Sequence, residues 1–270
     1  MVNVTLFRKL TRDIRQRKWA LLALAVIIAV GVGCYIGMAC VYRDLDGSRA
    51  DYYRDYRLAD FTVDLKRAPS RVIDVVENLP NVKSVRGRVS IEVSLDLNGA
   101  EEPISGRAIS MPLIPRPVLD DILLRSGTWF SGLDENEVIL NSAFARENGL
   151  VPGSRIKALM LDKQHDLLVV GTAMSPEFVY LMPPGGSLAP DPKMFGVMYL
   201  QEDFLQKASD LDGAFNQLVG TVHNSSKEAL ASTLDLIERT LDAYGVANAA
   251  PVEDEPSVKF LSEELKGLKV

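Results

Sequence analysis

Few residues in this sequence have the type and spacing that covalent or metal chemistry needs. His165 and His223 are the only histidines, so a hydrolase triad or a two-histidine zinc site would have to use one or both, and neither stands in a recognisable motif. His223 runs into Asn224-Ser225-Ser226, which reads as the end of a strand passing into a helix cap. The two cysteines, Cys34 and Cys40, lie inside an apolar block and supply neither a disulfide framework nor a metal site to a soluble domain. No Gly-x-x-x-x-Gly-Lys-Ser/Thr loop is present to cradle nucleotide phosphates. The expectation is a chain that is not an enzyme, with no catalytic, cofactor-binding or metal-ligating residues and no cofactor.

Composition narrows the remaining classes. At 270 residues the chain is long enough for one large domain or two small ones. Its net charge of −6, with the only dense basic run placed before the apolar block, argues against a nucleic-acid surface, which needs a basic stripe to displace counterions.

The apolar block itself is the strongest signal. From Trp19 to Tyr42 there is no charged residue, and at a rise of about 1.5 Å per residue about 20 such residues cross a hydrocarbon core. A signal peptide has a shorter apolar region, and Gly37-Met-Ala-Cys40 lacks the bulky aliphatic residue that a lipoprotein processing site prefers, so residues 19–42 read as an uncleaved transmembrane helix. Arg8, Lys9, Arg12, Arg15, Arg17 and Lys18 precede it against one acid, Asp13, whereas the basic residues after it are matched by acids. The positive flank stays inside, which puts the N-terminus in the cytoplasm and the remainder outside the inner (plasma) membrane. Residues 1–18 read as a cytoplasmic amphipathic helix, with Leu6, Phe7, Leu10 and Ile14 on one arc and the basic residues mostly opposite, against anionic membrane lipid. Ala29, Gly33 and Gly37 recur every fourth residue, so they form a small-residue face on which another helix could pack closely.

Beyond the span, residues 43–59 are rich in Asp, Arg and Tyr and read as a solvated stalk continuing the helix. Residues 60–111 read as a first half of a core: a strand with Phe61, Val63 and Leu65 alternating, a helix carrying Val72–Leu79, a strand with Val89–Leu97 alternating, and a partner strand after Asn98-Gly99. Residues 112–192 read as a small, mostly-β insert with a strand at Glu137–Leu140, a short helix at Ser142–Asn148, and strands at Arg155–Leu161 and Leu167–Ala173. Residues 193–252 read as a second half: strand Val197–Leu200, helix Glu202–Ala208, strand Gln217–His223 and helix Ser225–Tyr244 ended by Gly245. The fold class is α+β: one transmembrane helix followed by an extracytoplasmic core of two βαβ-type halves flanking the insert. Two short segments stand out. Ser175-Pro-Glu-Phe-Val-Tyr180 leads into the proline-rich stretch Pro183–Pro192; Glu177, Phe178 and Tyr180 are candidate partner contacts, the alternative being an internally packed loop. In Gly213-Ala-Phe-Asn216, Phe215 reads as an inward anchor and Asn216 as a turn residue.

The order of these parts resembles the N-terminal portion of an FtsX-like ABC-transporter permease with a MacB-type periplasmic core. The residues that carry the resemblance are Tyr52-Tyr-Arg-Asp-Tyr-Arg-Leu-Ala-Asp60, Glu137-Val-Ile-Leu140 with Gly149-Leu-Val-Pro-Gly153, Ser175–Tyr180, Phe195-Gly196 and Gly213–Asn216, and they cover essentially the whole chain. The resemblance implies a cytoplasmic ABC ATPase as partner, other permease spans or a second permease copy beside the first span, and a periplasmic partner as a further candidate. It also implies a mechanical role in export or transmembrane signalling, with no substrate specified. Members of the family continue into three further spans, and Ser257–Val270 resembles the helix leading to the second. Residues 253–270 are accordingly read as that lead-in, and the chain as a truncated permease, a separately encoded first portion or a fragment. The alternative is a stand-alone membrane-anchored interaction module.

Overall fold

In the computed structural model, residues 12, 14, 15, 17–97, 104–183 and 189–267 are described. Apart from Arg12, Ile14, Arg15, Arg17 and Lys18, the expected amphipathic helix lies outside the described residues, as do the Asn98-Gly99 turn, residues 184–188 and the last three residues of the expected lead-in, 268–270. Helix α1 runs from Lys18 to Asp55 without a break, and by length and apolarity it can cross a membrane. The chain divides into two compact units, one of residues 1–50 with 263–270 and one of residues 51–262. The fold described below is that of the second.

The class is α+β, built on two sheets. The first holds β1 (Phe61–Pro69), β2 (Val82–Arg88), β10 (Ala214–Val222) and β11 (Val246–Pro251), in the order β11-β1-β10-β2, with every neighbouring pair antiparallel. Strand β10 thus lies between β1 and β2, so this is a split βαβ arrangement in which the two halves interleave. Helices α2 (Val72–Glu77) and α5 (Lys227–Leu241) cover one face. Because side chains alternate along a strand, Phe61, Val63 and Leu65 of β1 join Leu218 of β10, Val72 and Val76 of α2 and Leu230, Leu234 and Ile237 of α5 in one core. Ser226 caps α5 by accepting from the Ala229 amide, and Gly245, at φ 71°, closes the short turn that follows it.

The second sheet closes on itself. Its order runs β5 (Leu123–Gly127), β8 (Lys163–Met174), β6 (Glu137–Asn141), β9 (Phe195–Gln201), β4 (Ile104–Met111), β3 (Ser90–Asp96), β7 (Arg155–Met160), and β7 also pairs with β8. The result is a six-stranded barrel with β5 added outside β8, so that among the described residues β5 alone in this sheet keeps an unpaired edge. Helices α3 (Ser142–Glu147) and α4 (Glu202–Ala208) place Phe144, Phe204 and Leu205 against its core. All seven residues of β9 are buried, which is why its sequence shows a continuous apolar run instead of alternation.

These sheets redraw the expected divisions. The β3–β4 hairpin, read as part of residues 60–111, and β9 with α4, read as part of residues 193–252, belong to the barrel with the insert. The segment pattern identified β9 as a strand, but its partners are β4, in parallel, and β6, both distant in sequence. The strand read at Val89–Leu97 is β3, and strand β2, which precedes it, was not read at all. The chain leaves the first sheet at Arg88 and enters the barrel at Ser90. The stalk is not wholly solvated either, since Tyr52, Tyr53 and Tyr56 are half-buried and Ala59 is fully buried.

Packing over β1 is tight enough to leave one position no side chain. A Cβ on Gly220 would enter the Phe61 ring and press on Val85. Gly220→Ala should therefore destabilise the folded body by about 1–3 kcal/mol through overpacking, read by chemical denaturation of the full chain in micelles. An unchanged midpoint would contradict this packing.

Candidate functional site

Among the described residues the other face of the first sheet is covered by loops, and much of what meets it is polar. Alternation along β2 turns Val85 and Gly87 towards the helices and Arg86 and Arg88 away from them. Alternation along β10 likewise turns Gln217 and Val219 away. This face is roofed by the loop around Leu119–Ile122 and the loop Ser175–Leu181. Leu119 packs with Val219 and Ala59 in a small apolar cluster.

Arg88 is the centre of the roofed region and is 2% exposed. Its guanidinium forms a two-pronged pair with Glu177, Nη1 donating to Oε2 at 2.8 Å and Nη2 to Oε1. Nη1 also reaches Asp120 Oδ2 at 3.4 Å, and Nε donates to Gln217 Oε1 at 2.7 Å. Gln217 passes the network on to Asp64 Oδ1 at 2.7 Å. Arg86 donates to the carbonyls of Leu119 at 2.8 Å and Ser110 at 2.7 Å. Each nitrogen of the Arg88 guanidinium therefore has a partner, which such a buried charge requires if desolvation is to be offset.

The two carboxylates reach different parts of the chain. Asp120 Oδ1 accepts from the Ala59 amide at 2.8 Å. Asp120 N donates to Arg57 O and Asp121 N to Tyr56 O, both at 2.9 Å. The foot of the stalk is thus clamped by three hydrogen bonds to one loop. Arg57 and Asp120 both have φ 52°, a conformation that ordinary side chains disfavour and that persists here because the bonds on either side fix it. On the other side, Tyr180 N donates to Ser257 Oγ at 3.0 Å, and the Tyr180 ring meets Phe260 edge-on with centroids 4.9 Å apart. Ser257 and Phe260 open α6 (Pro256–Gly267). Through Glu177 and its loop, Arg88 is linked to α6. Through Asp120 it is linked to the end of α1.

Burial sets the ionisation of this cluster. Burial first, and then the nearby Glu177 carboxylate, raise Asp120 to about 7 against the pull of Arg88. Burial and repulsion from Arg88 lower Arg86 to about 10. Burial would lower Arg88 too, but Glu177 and Asp120 outweigh it and hold the guanidinium charged. Burial also raises Asp121 and Glu255.

The sequence-derived candidates fall in separate places. Glu177 is buried and committed to Arg88, Phe178 is half-buried beside the barrel core, and Tyr180 holds α6. Along these residues the loop turns Glu177 inward, where its carboxylate pairs with a buried arginine. Ala29, Gly33 and Gly37 are exposed on α1, and a Cβ on either glycine would meet nothing within 4 Å. Asn216 is not a turn residue. It exchanges two 2.8 Å hydrogen bonds with the Ser90 backbone, imitating a strand neighbour where β10 passes β3. Phe215 packs inward. Neither histidine enters the cluster. Sequence reasoning missed Arg88, Asp120, Gln217 and Ser257. One signal was available, a pair of arginines at period two between Val85 and Val89.

No family model matches the chain, and no curated protein matches it. The chain is similar to extracytoplasmic domains of ABC-type transporter permeases of solved structure. One is the extracellular domain of the noncanonic ABC-type transporter YknZ from Gram-positive bacteria, at 14% identity over 69% of this chain and 100% of that one, with a TM-score of 0.41. Another is the periplasmic region of MacB from Actinobacillus actinomycetemcomitans, at 10% identity over 75% of this chain and 92% of that one, with a TM-score of 0.42.

The raised Asp120 gives a signed pH effect. Its native value of about 7 lies above the ordinary 3.8, so between those values the folded state holds the proton and the unfolded state releases it. The stability contributed by this group is complete below pH 3.8 and is lost as pH rises through about 7. Asp120→Asn, neutral throughout, should gain stability relative to the parent between about pH 4 and pH 8, measured by denaturation of the full chain. A difference that stays flat across that range would refute the assignment.

Proposed function

We propose that this chain is a permease-family membrane subunit of an ABC-type export or mechanotransmission complex, coupling a cytoplasmic ATPase to an extracytoplasmic domain. The observation that carries the reading is the Arg88 junction, which holds the foot of α1 through Asp120 and the start of α6 through the Glu177 loop. In the family that the sequence resembles, those two segments lead to the first and second spans. A helix unbroken from Lys18 to Asp55 supports the same reading, because an unbroken helix moves as a rod and delivers displacement at one end to the other.

In this reading the N-terminus is cytoplasmic in the inner membrane, with its basic lead-in on anionic lipid. The open face of Ala29, Gly33 and Gly37 packs on another membrane helix, from further permease spans or a second copy. The folded body of residues 51–262 is extracytoplasmic and undergoes rigid displacement, with no bond-making chemistry assigned to it.

The test is association. The tagged full chain, purified from its native membranes in mild detergent, should bring down an ATPase carrying a Gly-x-x-x-x-Gly-Lys-Ser/Thr loop in near-stoichiometric amount. Recovery without any such ATPase would contradict the reading and favour the stand-alone interaction module.

A further inference from the structure

The β7–β8 hairpin departs from what its turn requires. Met160 pairs with Lys163, so Leu161 and Asp162 alone make the turn. Both have positive φ, 43° and 62°. Two-residue turns of this hand favour Asn-Gly or Asp-Gly, because an ordinary side chain strains the left-handed backbone. Among the described non-glycine residues with positive φ, Leu161 alone is apolar. The strain places no side chain in a core, since Leu161 is 57% exposed and Leu159, on the same strand end, is 45% exposed.

These two leucines form one wall of a groove of about 410 Å³. Strand β3 contributes Glu92 across from them, Asp162 stands at the rim, and Phe195 and Pro183 complete the apolar part. Two carboxylates and no basic side chain line the groove among the described residues. Lys157 and Lys163 on the same hairpin, and Arg107 directly opposite Glu92 on β4, stand outside the lining. After Tyr42 the chain carries 24 basic against 35 acidic residues, so a second copy of this body would approach with like charge.

We propose that this groove is a docking site for an extended polypeptide segment of another protein, in which an apolar side chain packs on Leu159 and Leu161 and an adjacent Lys or Arg meets Glu92 and Asp162. Alternating apolar and basic residues match a wall of leucines bordered by carboxylates. The exposed leucine is kept at the turn, despite its backbone, because its side chain is the anchor. The inference does not rest on the permease reading, and failure to recover an ATPase leaves it untouched.

The test uses the full chain in nanodiscs of zwitterionic lipid and two synthetic probes, a nine-residue alternating Leu–Lys peptide and its Leu–Glu counterpart, followed by calorimetry. The Leu–Lys probe should bind saturably and the Leu–Glu probe should not. Leu161→Asn supplies a residue that tolerates positive φ, so it should raise the denaturation midpoint while weakening the probe about tenfold. Glu92→Gln, which removes the charge without setting a cation opposite Arg107, should weaken it several-fold with little change in stability. Those opposite signs separate an anchor from a structural leucine. Equal affinity for parent and Leu161→Asn, equal affinity for the two probes, or no saturable binding below about 1 mM would each overturn the proposal. Self-association of the chain that is abolished by Leu161→Asn would overturn it in favour of a second copy.

Discussion

A guanidinium buried under two loops constrains the rest of this molecule. Arg88 cannot be 2% exposed unless its charge is paired, and the partners on its three nitrogens are Glu177, Asp120 and Gln217. Each belongs to a different stretch of chain. Neutralising one charge therefore fixes the position of the insert loop around Asp120, the loop after β8, and the loop-covered face of the first sheet at the same time. Replacing such a cluster by apolar side chains is often neutral for stability in other proteins. What a charge cluster adds here is geometry, because a fork binds two carboxylate oxygens in one plane and in few other arrangements.

That geometry explains why the two sheets behave as one body although each has its own core. The chain crosses from the first sheet to the barrel between Arg88 and Ser90, next to the fork. It crosses back before Ala214, where Asn216 ties β10 to Ser90. Both crossings lie beside the polar junction, and the stalk foot and the start of α6 are hydrogen-bonded to its two sides.

Local pattern carried much of this architecture. The apolar block, the alternation of Phe61, Val63 and Leu65, the stripe of α5 and its Ser226 cap are written in neighbouring residues and emerge as elements with nearly the expected bounds. Sheet membership is not local. Strand β9 pairs with β4 and β6 because the barrel closes, and nothing in Phe195–Gln201 specifies those partners. Strand β2 was obscured because its exposed-looking positions, Arg86 and Arg88, are polar residues turned to a buried junction, so its alternation resembled a solvated edge. Weak strands such as Val246–Pro251 carry too little apolar signal to be read before β1 is known to need a neighbour. The junction was illegible for a related reason. Arg88 and Glu177 are 89 positions apart, and an ion pair leaves no periodicity in sequence.

The central claim is that Arg88 makes the foot of α1 and the start of α6 parts of one cooperative unit. Hydrogen exchange on the full chain in nanodiscs, comparing the parent with Arg88→Met, tests it at the amides of Ala59, Asp120 and Tyr180, with Leu218 in the interior of the first sheet as reference. The account predicts that protection at all three falls together while Leu218 remains protected. Loss confined to one side of the junction, or no loss at any of the three, would contradict it.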